Sequence, residues 1–243
     1  MRLPLTLALL AALPFAAQAE DTRSWSGTAE FGLAIASGNA DSETVNGKFA
    51  FLREEDRWFY GINAAALRAE SDDQLSANRY EAGLKLGYDF TPRAYLFGTL
   101  RHENDDFASY EYQSIASFGV GYRFIDREAT SLLAEIGPGA RRFQPIDALV
   151  GTPPVLTSFD AETNAIVRGS LDFKHQLTAN TALTNLLLAE SGSGSTFVQN
   201  DLGVAVQMSE RFALKAGYQV RHTTEVPVGI EKTDTLFTTN LVV

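Results

Sequence analysis

Cysteine is absent from all 243 residues. That absence removes disulfides, thiolate metal sites and cysteine nucleophiles together, and it suits a chain that passes through an oxidising compartment. It also excludes lipid attachment to an N-terminal cysteine. Basic residues are in the minority, 20 Lys and Arg against 30 Asp and Glu, for a formal net charge of −10. With no basic patch or arm, nucleic acid is not an expected partner. Long apolar runs are missing from the body of the chain. The longest candidate, TALTNLLLAE at 181–190, is broken by Asn185 and falls well short of the ~20 residues a spanning helix needs. No Pro/Gly/Ser-rich linker and no low-complexity tract divides the chain, so a single domain is expected.

The N-terminus reads differently. Residues 1–19 have a charged start at Arg2, an apolar stretch from Leu5 to Phe15 and a small-x-small site at Ala17-Gln18-Ala19. This is the pattern of a cleavable signal peptide, with the mature domain expected over 20–243. The stretch is too short for a membrane anchor, and Pro4 and Pro14 interrupt it.

What fills the rest is alternation. In RYEAGLKLGYDF, 79–90, Tyr80, Ala82, Leu84, Leu86, Tyr88 and Phe90 fall on one face of an extended strand, and Glu81, Gly83, Lys85, Gly87 and Asp89 on the other. The same division recurs in 109–125, 196–208 and 212–225. The spacing predicts about twelve strands, near 25–37, 42–54, 57–70, 77–90, 94–104, 109–125, 131–143, 162–177, 181–190, 196–208, 212–225 and 232–243. In 57–70 and 94–104 aromatics occupy both parities, and the facing is open. A hydrophobic content of 45% fits a barrel whose outer band alone is apolar.

Connections alternate in length. Short ones are Glu55-Asp56, Thr91 to Arg93, Asp126 to Thr130, Thr178 to Asn180 and Ser209 to Arg211. Longer polar or Gly/Pro-rich ones are 71–76, 105–108, 144–161, 191–195 and 226–231. Outer-membrane barrels have short periplasmic turns and longer external loops, so both termini are expected in the periplasm. The loop 144–161, with Pro145, Pro153 and Pro154, is the longest and is expected to be able to fold over the mouth.

The polar face carries both charge signs. Lys48, Glu81, Lys85, Asp89, Arg123, Glu135, Arg141, Arg168, Lys215 and Arg221 are the candidate lumen-lining residues, with Arg53, Glu111, Asp172 and Lys174 read onto the same face. They either pair across strands and plug the interior or line a narrow polar pore, and about twelve strands falls between the filled and the water-filled barrel sizes. Glycines on that face, such as Gly83, Gly87, Gly119, Gly121, Gly203 and Gly217, either leave room for a ligand or relieve crowding, and the second is favoured.

Chemistry is sparsely marked. His102, His175 and His222 have no metal spacing. His102 and His222 sit toward the outer strand ends, where a hydrolase would need a serine or aspartate beside them, but no nucleophile is marked. The acidic stretches His102 to Asp106 and Glu70 to Asp73 lack the order of a calcium loop, so solvated loop tips are expected. Gly38-Asn39-Ala40-Asp41 reads as a tight hairpin turn, and Gly192 to Ser195 as a flexible loop rather than a phosphate cradle. No catalytic residue, metal or cofactor is expected.

Trp25 followed by a Gly-containing strand, Ser37-Gly38-Asn39 with Asp41 and Thr44, Arg57-Trp58, Arg79-Tyr80-Glu81, the run DFTPRAYLFGTLRHENDDFASYEYQSIASFGVGYRFI, GPGAR at 137–141 and VPVGIEKTDT at 226–235 stand in order along the chain. In these features it resembles the YdiY-like salt-induced outer-membrane proteins, a family classed as a domain of unknown function. The resemblance covers essentially the whole mature chain. It implies a Gram-negative outer-membrane location and a barrel fold, and it supplies no catalytic residues. One departure is the end, Leu241-Val242-Val243, where barrel chains of this kind usually carry an aromatic residue for the insertion machinery.

The expected fold is all-β, a single antiparallel up-and-down transmembrane barrel of about twelve strands. The expected function is non-enzymatic, in envelope integrity or osmotic and salt adaptation. The stress link comes from the resemblance alone. The alternatives are a narrow diffusion pore for small polar solutes, an outer-membrane hydrolase and a soluble β-sandwich. Expected partners are outer-membrane lipid, lipopolysaccharide and, during assembly, the barrel-insertion machinery. The oligomeric state is left open.

Overall fold

The computed structural model describes residues 23–36, 42–72, 74–150, 155–227 and 229–243. The expected signal peptide at 1–19 and the hairpin turn at Gly38 to Asp41 lie outside them, as do Pro153 and Pro154.

Twelve strands close into one antiparallel ring: β1 (Arg23–Ala36), β2 (Ser42–Glu55), β3 (Trp58–Ser71), β4 (Gln74–Asp89), β5 (Ala94–Asp105), β6 (Tyr110–Arg127), β7 (Thr130–Pro145), β10 (Glu162–Thr178), β11 (Thr181–Gly192), β12 (Thr196–Gln207), β13 (Ala213–Thr223) and β14 (Thr233–Val242). Two further short strands, β8 (Ala148–Val150) and β9 (Val155–Thr157), pair with each other in the loop between β7 and β10. Each ring strand pairs with its neighbour in the chain, β7 with β10 across that loop, and β1 returns to β14. This is the up-and-down barrel that the alternation predicts.

The turns at one end are tight. Asp56 takes φ 52° between β2 and β3, a left-handed conformation that aspartate tolerates because its side chain bonds locally. Thr91 caps the β4–β5 turn by accepting the Ala94 N–H through Oγ1 at 2.8 Å. The other end differs from expectation at 71–76. Strands β3 and β4 run further than the pattern suggests, and Asp72, at φ 50°, begins the turn between them. The length asymmetry therefore rests mainly on 146–161 and 224–232.

Outward faces are apolar. Phe118, Ile136 and Phe237 are 67%, 58% and 69% exposed, a pattern that has no place in water but suits hydrocarbon. At the short-turn rim Trp25 meets Phe51, Trp58 meets Tyr88 and Tyr122 meets Phe124, each pair at 4.9 Å between ring centroids. Such an aromatic belt sits where chain and headgroup regions of a bilayer join.

Closure is thinnest at β1–β14. β1 pairs with β2 along 14 residues but with β14 only at Glu30–Val242 and Phe31–Leu241, extended by reciprocal Ala29–Val243 amide bonds of 3.0 and 2.9 Å. On the inner side Lys215 Nζ of β13 reaches over β14 to Glu30 Oε1 at 2.6 Å, and Asn240 Nδ2 donates to Glu30 Oε2 at 3.1 Å. A polar clasp thus holds the seam where backbone bonds are few.

Strands β6 and β7 leave no room for a side chain at Gly119 and Gly137, where a Cβ on either would fall 2.7 Å from the other's Cα. Gly47 has only Glu30 O at 3.8 Å from such a Cβ. Gly119→Ala is therefore expected to destabilise the refolded barrel by the ~1–3 kcal/mol of an overpacked site, lowering its urea midpoint, and Gly47→Ala to leave the midpoint unchanged. Unfolding titrations of the two variants in detergent check this.

Candidate functional site

Inward parity follows from the register. Lys48, Ala65, Glu81, Glu103 and Gln113 are successive partners across β2 to β6, and the side chains of this row share a face. Facing side chains from strands far apart in the ring meet within the space it encloses.

Near the short turns this space holds an aromatic cluster of Phe59, Tyr95 and Phe97, with Leu52 packed against it. These settle the two strands whose facing the pattern left open. In β3, Phe59 turns in and Trp58, Tyr60 and Ile62 turn out; in β5, Tyr95 and Phe97 turn in and Leu96 and Leu100 turn out. The Phe59 ring lies over Gly87 and the Tyr95 ring over Gly121, where a Cβ would overlap them. Glycine here makes room for a ring.

Glu135 is the hub of this layer, at 4% exposure. It pairs with Lys85, which stands three strands away, accepts from Tyr95 Oη at 2.8 Å and from Arg168 Nη1 at 3.2 Å, and also bonds Ser170. The Lys85 ammonium lies 5.7–5.9 Å from the rings of Phe59, Tyr95 and Phe97. Arg123 pairs with Asp89 at 2.7 Å and lies over the Tyr95 ring.

A second layer lies toward the long loops. Arg221 pairs with Glu103 and, at 3.1 Å, with Asp105. Strands β13 and β5 are six places apart in either direction round the ring, so this contact crosses the full width of the barrel. Arg101 adds Glu103 at 3.1 Å, Glu190 at 2.6 Å and Glu81 at 3.5 Å. Tyr110 Oη donates to Glu103 at 2.8 Å. Both guanidinium groups also face the Phe197 ring, at 5.6 and 5.1 Å. Glu103 is 0% exposed and Glu190 2%. A buried carboxylate is costly unless charged donors surround it, and each of these has them.

All ten candidate lumen-lining residues fall on the inward parity. Lys85, Glu135 and Arg168 come together, as do Asp89 and Arg123, and Glu81 and Arg221 both join the Arg101–Glu103 group. Lys48 reaches Asp201 at 3.6 Å, Lys215 meets Glu30, and Arg141 lies over the Phe143 ring at 5.1 Å. Arg53 is a correction. Its parity is that of Phe49 and Phe51, and it stands outside with its guanidinium 4.6 Å from the Trp25 ring. Glu111 lies in a register shift between Tyr110 and Tyr112 and is exposed. Glu103 and Asp105 are a second correction: they belong to β5 and its interior pairs, not to a solvated loop tip.

Arg101, Glu190 and Glu30 were not singled out from the sequence, and Asp201, on the polar face of 196–208, and Arg79, which donates to Gln219 Oε1 at 2.8 Å, were not among the lumen-lining candidates. The signal was available, since Arg79 shares parity with Glu81, and Arg101, Glu103 and Asp105 alternate in series. Once β5 could not be faced, that series could not be used. No group of His and acidic residues suited to a metal occurs among the described residues.

A closed ring with an apolar outside, an aromatic rim and a paired charged interior defines a membrane-spanning β-barrel of the outer-membrane type. The chain belongs to the family described as "Protein of unknown function, DUF481", whose model matches residues 29–243. It is 26% identical over 203 residues to "Uncharacterized protein YdiY" of Escherichia coli (strain K12), covering 83% of this chain and 75% of that one. Among solved structures it is similar to the KdgM porin, with TM-score 0.47, 8% identity and coverage of 89% of this chain and 98% of that one. It is also similar to the translocator domain of autotransporter NalP from Neisseria meningitidis, with TM-score 0.46, 12% identity and coverage of 90% and 87%.

Removing Arg221 leaves Glu103 and Asp105 buried with fewer donors. Arg221→Met is expected to destabilise the barrel by ~3–5 kcal/mol, the usual effect of breaking a buried pair. Arg68→Met, which breaks the surface pair with Glu70, is expected to leave stability unchanged. Denaturant midpoints of the two variants in lipid vesicles check both.

Proposed function

We propose that this protein is an outer-membrane barrel whose interior is filled rather than open, and that it contributes non-enzymatically, through that filled interior, to envelope integrity under osmotic or salt stress. The observation that carries the reading is the Arg221–Glu103–Arg101–Glu190 group, which joins β13, β5 and β11 through the middle of the ring. Charges committed to one another at contact distance, with Glu103 and Glu190 almost fully buried, leave a passing solute little room and no free carboxylate in this group. The interior charges then act as cross-braces between distant strands. On this reading its partners are the lipid and lipopolysaccharide around it and the machinery that inserts it. The stress link rests on the family resemblance and not on any residue.

A narrow pore is the second reading. It is favoured by Leu186, which has inward parity and is nonetheless 41% exposed, so some interior space remains beside the braces. Planar-bilayer recording separates the two. The purified barrel is expected to insert without discrete conductance steps, and the double variant Arg101→Ala, Arg221→Ala to give them. Steps from the unaltered protein would overturn the filled-interior reading.

A further inference from the structure

The outward face of β5, β6 and β7 changes character within one residue row. Leu100, Ala116 and Ala140 are cross-strand partners and apolar. The next outward row is His102, Ser114 and Arg142, and His102 pairs with Ser114 as Ser114 does with Arg142. This row therefore marks the upper edge of the hydrocarbon-facing band, toward the long loops. The acyl-ester bonds of membrane lipids lie at that level, between hydrocarbon and headgroup.

In this row Ser114 Oγ lies 2.8 Å from His102 Nδ1, and His102 Nε2 lies 3.1 Å from Asn104 Oδ1. The proton positions follow from the next bond. Asn104 Nδ2 donates to the Glu111 carbonyl at 3.2 Å, which turns Asn104 Oδ1 toward the imidazole. An accepting Oδ1 requires the proton on Nε2. Nδ1 then presents a lone pair, and the Ser114 hydroxyl donates to it. The register shift between Tyr110 and Tyr112 puts Glu111 beside this group. The other histidines also meet a hydroxyl, His175 with Thr130 at 2.8 Å and His222 with Thr233 at 2.7 Å. Among the described residues, only His102 has its second nitrogen held as well.

We propose that Ser114, His102 and Asn104 form an acyl-transfer site that cleaves carboxylic esters of membrane lipids. A nucleophile bonded to a base, and that base oriented by a third group, is the arrangement that activates serine. Ser114 Oγ attacks the ester carbonyl carbon while its proton passes to His102 Nδ1. The ester C–O bond then breaks, and the departing alcohol takes that proton. Water, deprotonated by His102, hydrolyses the acyl-serine to a free carboxylate and restores the hydroxyl. Arg142, exposed and directly across from Ser114, supplies positive charge beside the developing oxyanion or the lipid headgroup. Ser114 and His102 are the catalytic residues, and Asn104 is a positioning residue. The site lies outside the barrel, adds catalysis to the non-enzymatic role proposed for the interior, and is independent of whether that interior is filled.

The test uses the full refolded chain in two kinds of vesicle, one of glycerophospholipid and one also containing an acylated glucosamine glycolipid, each with labelled acyl chains. A fluorophosphonate probe, which esterifies activated serines, is mapped by peptide mass in parallel. The expected result is release of free fatty acid with equimolar deacylated lipid, and probe on Ser114. The vesicle in which release occurs identifies the ester. S114A abolishes release and labelling. H102A lowers both by ~10²–10⁴-fold, the usual contribution of a general base. N104A lowers both by less, and N104D restores them while shifting the pH profile of labelling. Heat-modifiable gel mobility shows that each variant is folded. Folded wild-type protein that releases no acid and takes no probe at Ser114, or release that persists in S114A, would overturn the proposal.

Discussion

A backbone that lies in hydrocarbon has no water to satisfy its amides, so every N–H and C=O in the spanning region must find a partner within the protein. For strands that requirement is met by closing the sheet on itself. The length of the strands, the tight turns and the return of β1 to β14 follow from it. It also locates the weakest place. β1 and β14 share few backbone bonds, and there the Glu30, Lys215 and Asn240 side chains tie β1 to β13 and β14 from within.

Closure creates a second problem, which the interior charges solve. An antiparallel ring of twelve strands encloses more width than one layer of side chains fills unless long ones reach across. Arginine and glutamate have that reach, and a guanidinium and a carboxylate that meet in the middle satisfy each other. Arg221 with Glu103 and Arg101 with Glu190 span the upper level. Lys85 with Glu135, braced by Phe59, Tyr95 and Phe97, spans the lower one. Glycine at Gly87 and Gly121 is the complement, giving up its side chain so that a ring can lie flat on the wall. The outward row at His102 is a different kind of feature, because nothing about closing or filling the barrel requires a histidine held at both nitrogens.

Much of this architecture was legible in the residues. Alternation in β4, β6, β12 and β13 is clean because the inner wall there is mostly polar or glycine, with Ile115 and Phe197 the inward exceptions. It failed in β3 and β5 for one reason: Phe59, Tyr95 and Phe97 are inner aromatics, and pattern alone does not tell a ring buried in a lumen from a ring facing lipid. With β5 unfaced, Glu103 and Asp105 looked like a loop, and the main cross-brace went unseen. Arg53 misled in the other direction, since a cation outside the barrel is expected to be rare, yet it rests over the Trp25 ring at the rim, where its charge can reach headgroups. Which carboxylate meets which guanidinium depends on the register carried round the whole ring, and no local pattern contains it. The Ser114–His102–Asn104 group was half visible: the histidine was singled out, but its serine is ten or more residues on and becomes adjacent only when β5 and β6 pair.

The absence of native cysteine makes the central claim open to direct measurement. Single cysteines along β6, at Gln113, Ala116, Ser117 and Val120 in turn, can be probed in lipid vesicles with a water-soluble thiol reagent and, after labelling under denaturing conditions and refolding, with a quencher confined to the acyl chains. The outward positions 116 and 120 are predicted to report quenching by lipid, and the inward positions 113 and 117 to be protected from both probes because the interior is packed. Rapid reaction of 113 and 117 with the water-soluble reagent would contradict the account, since it would mean that the barrel holds an open aqueous lumen.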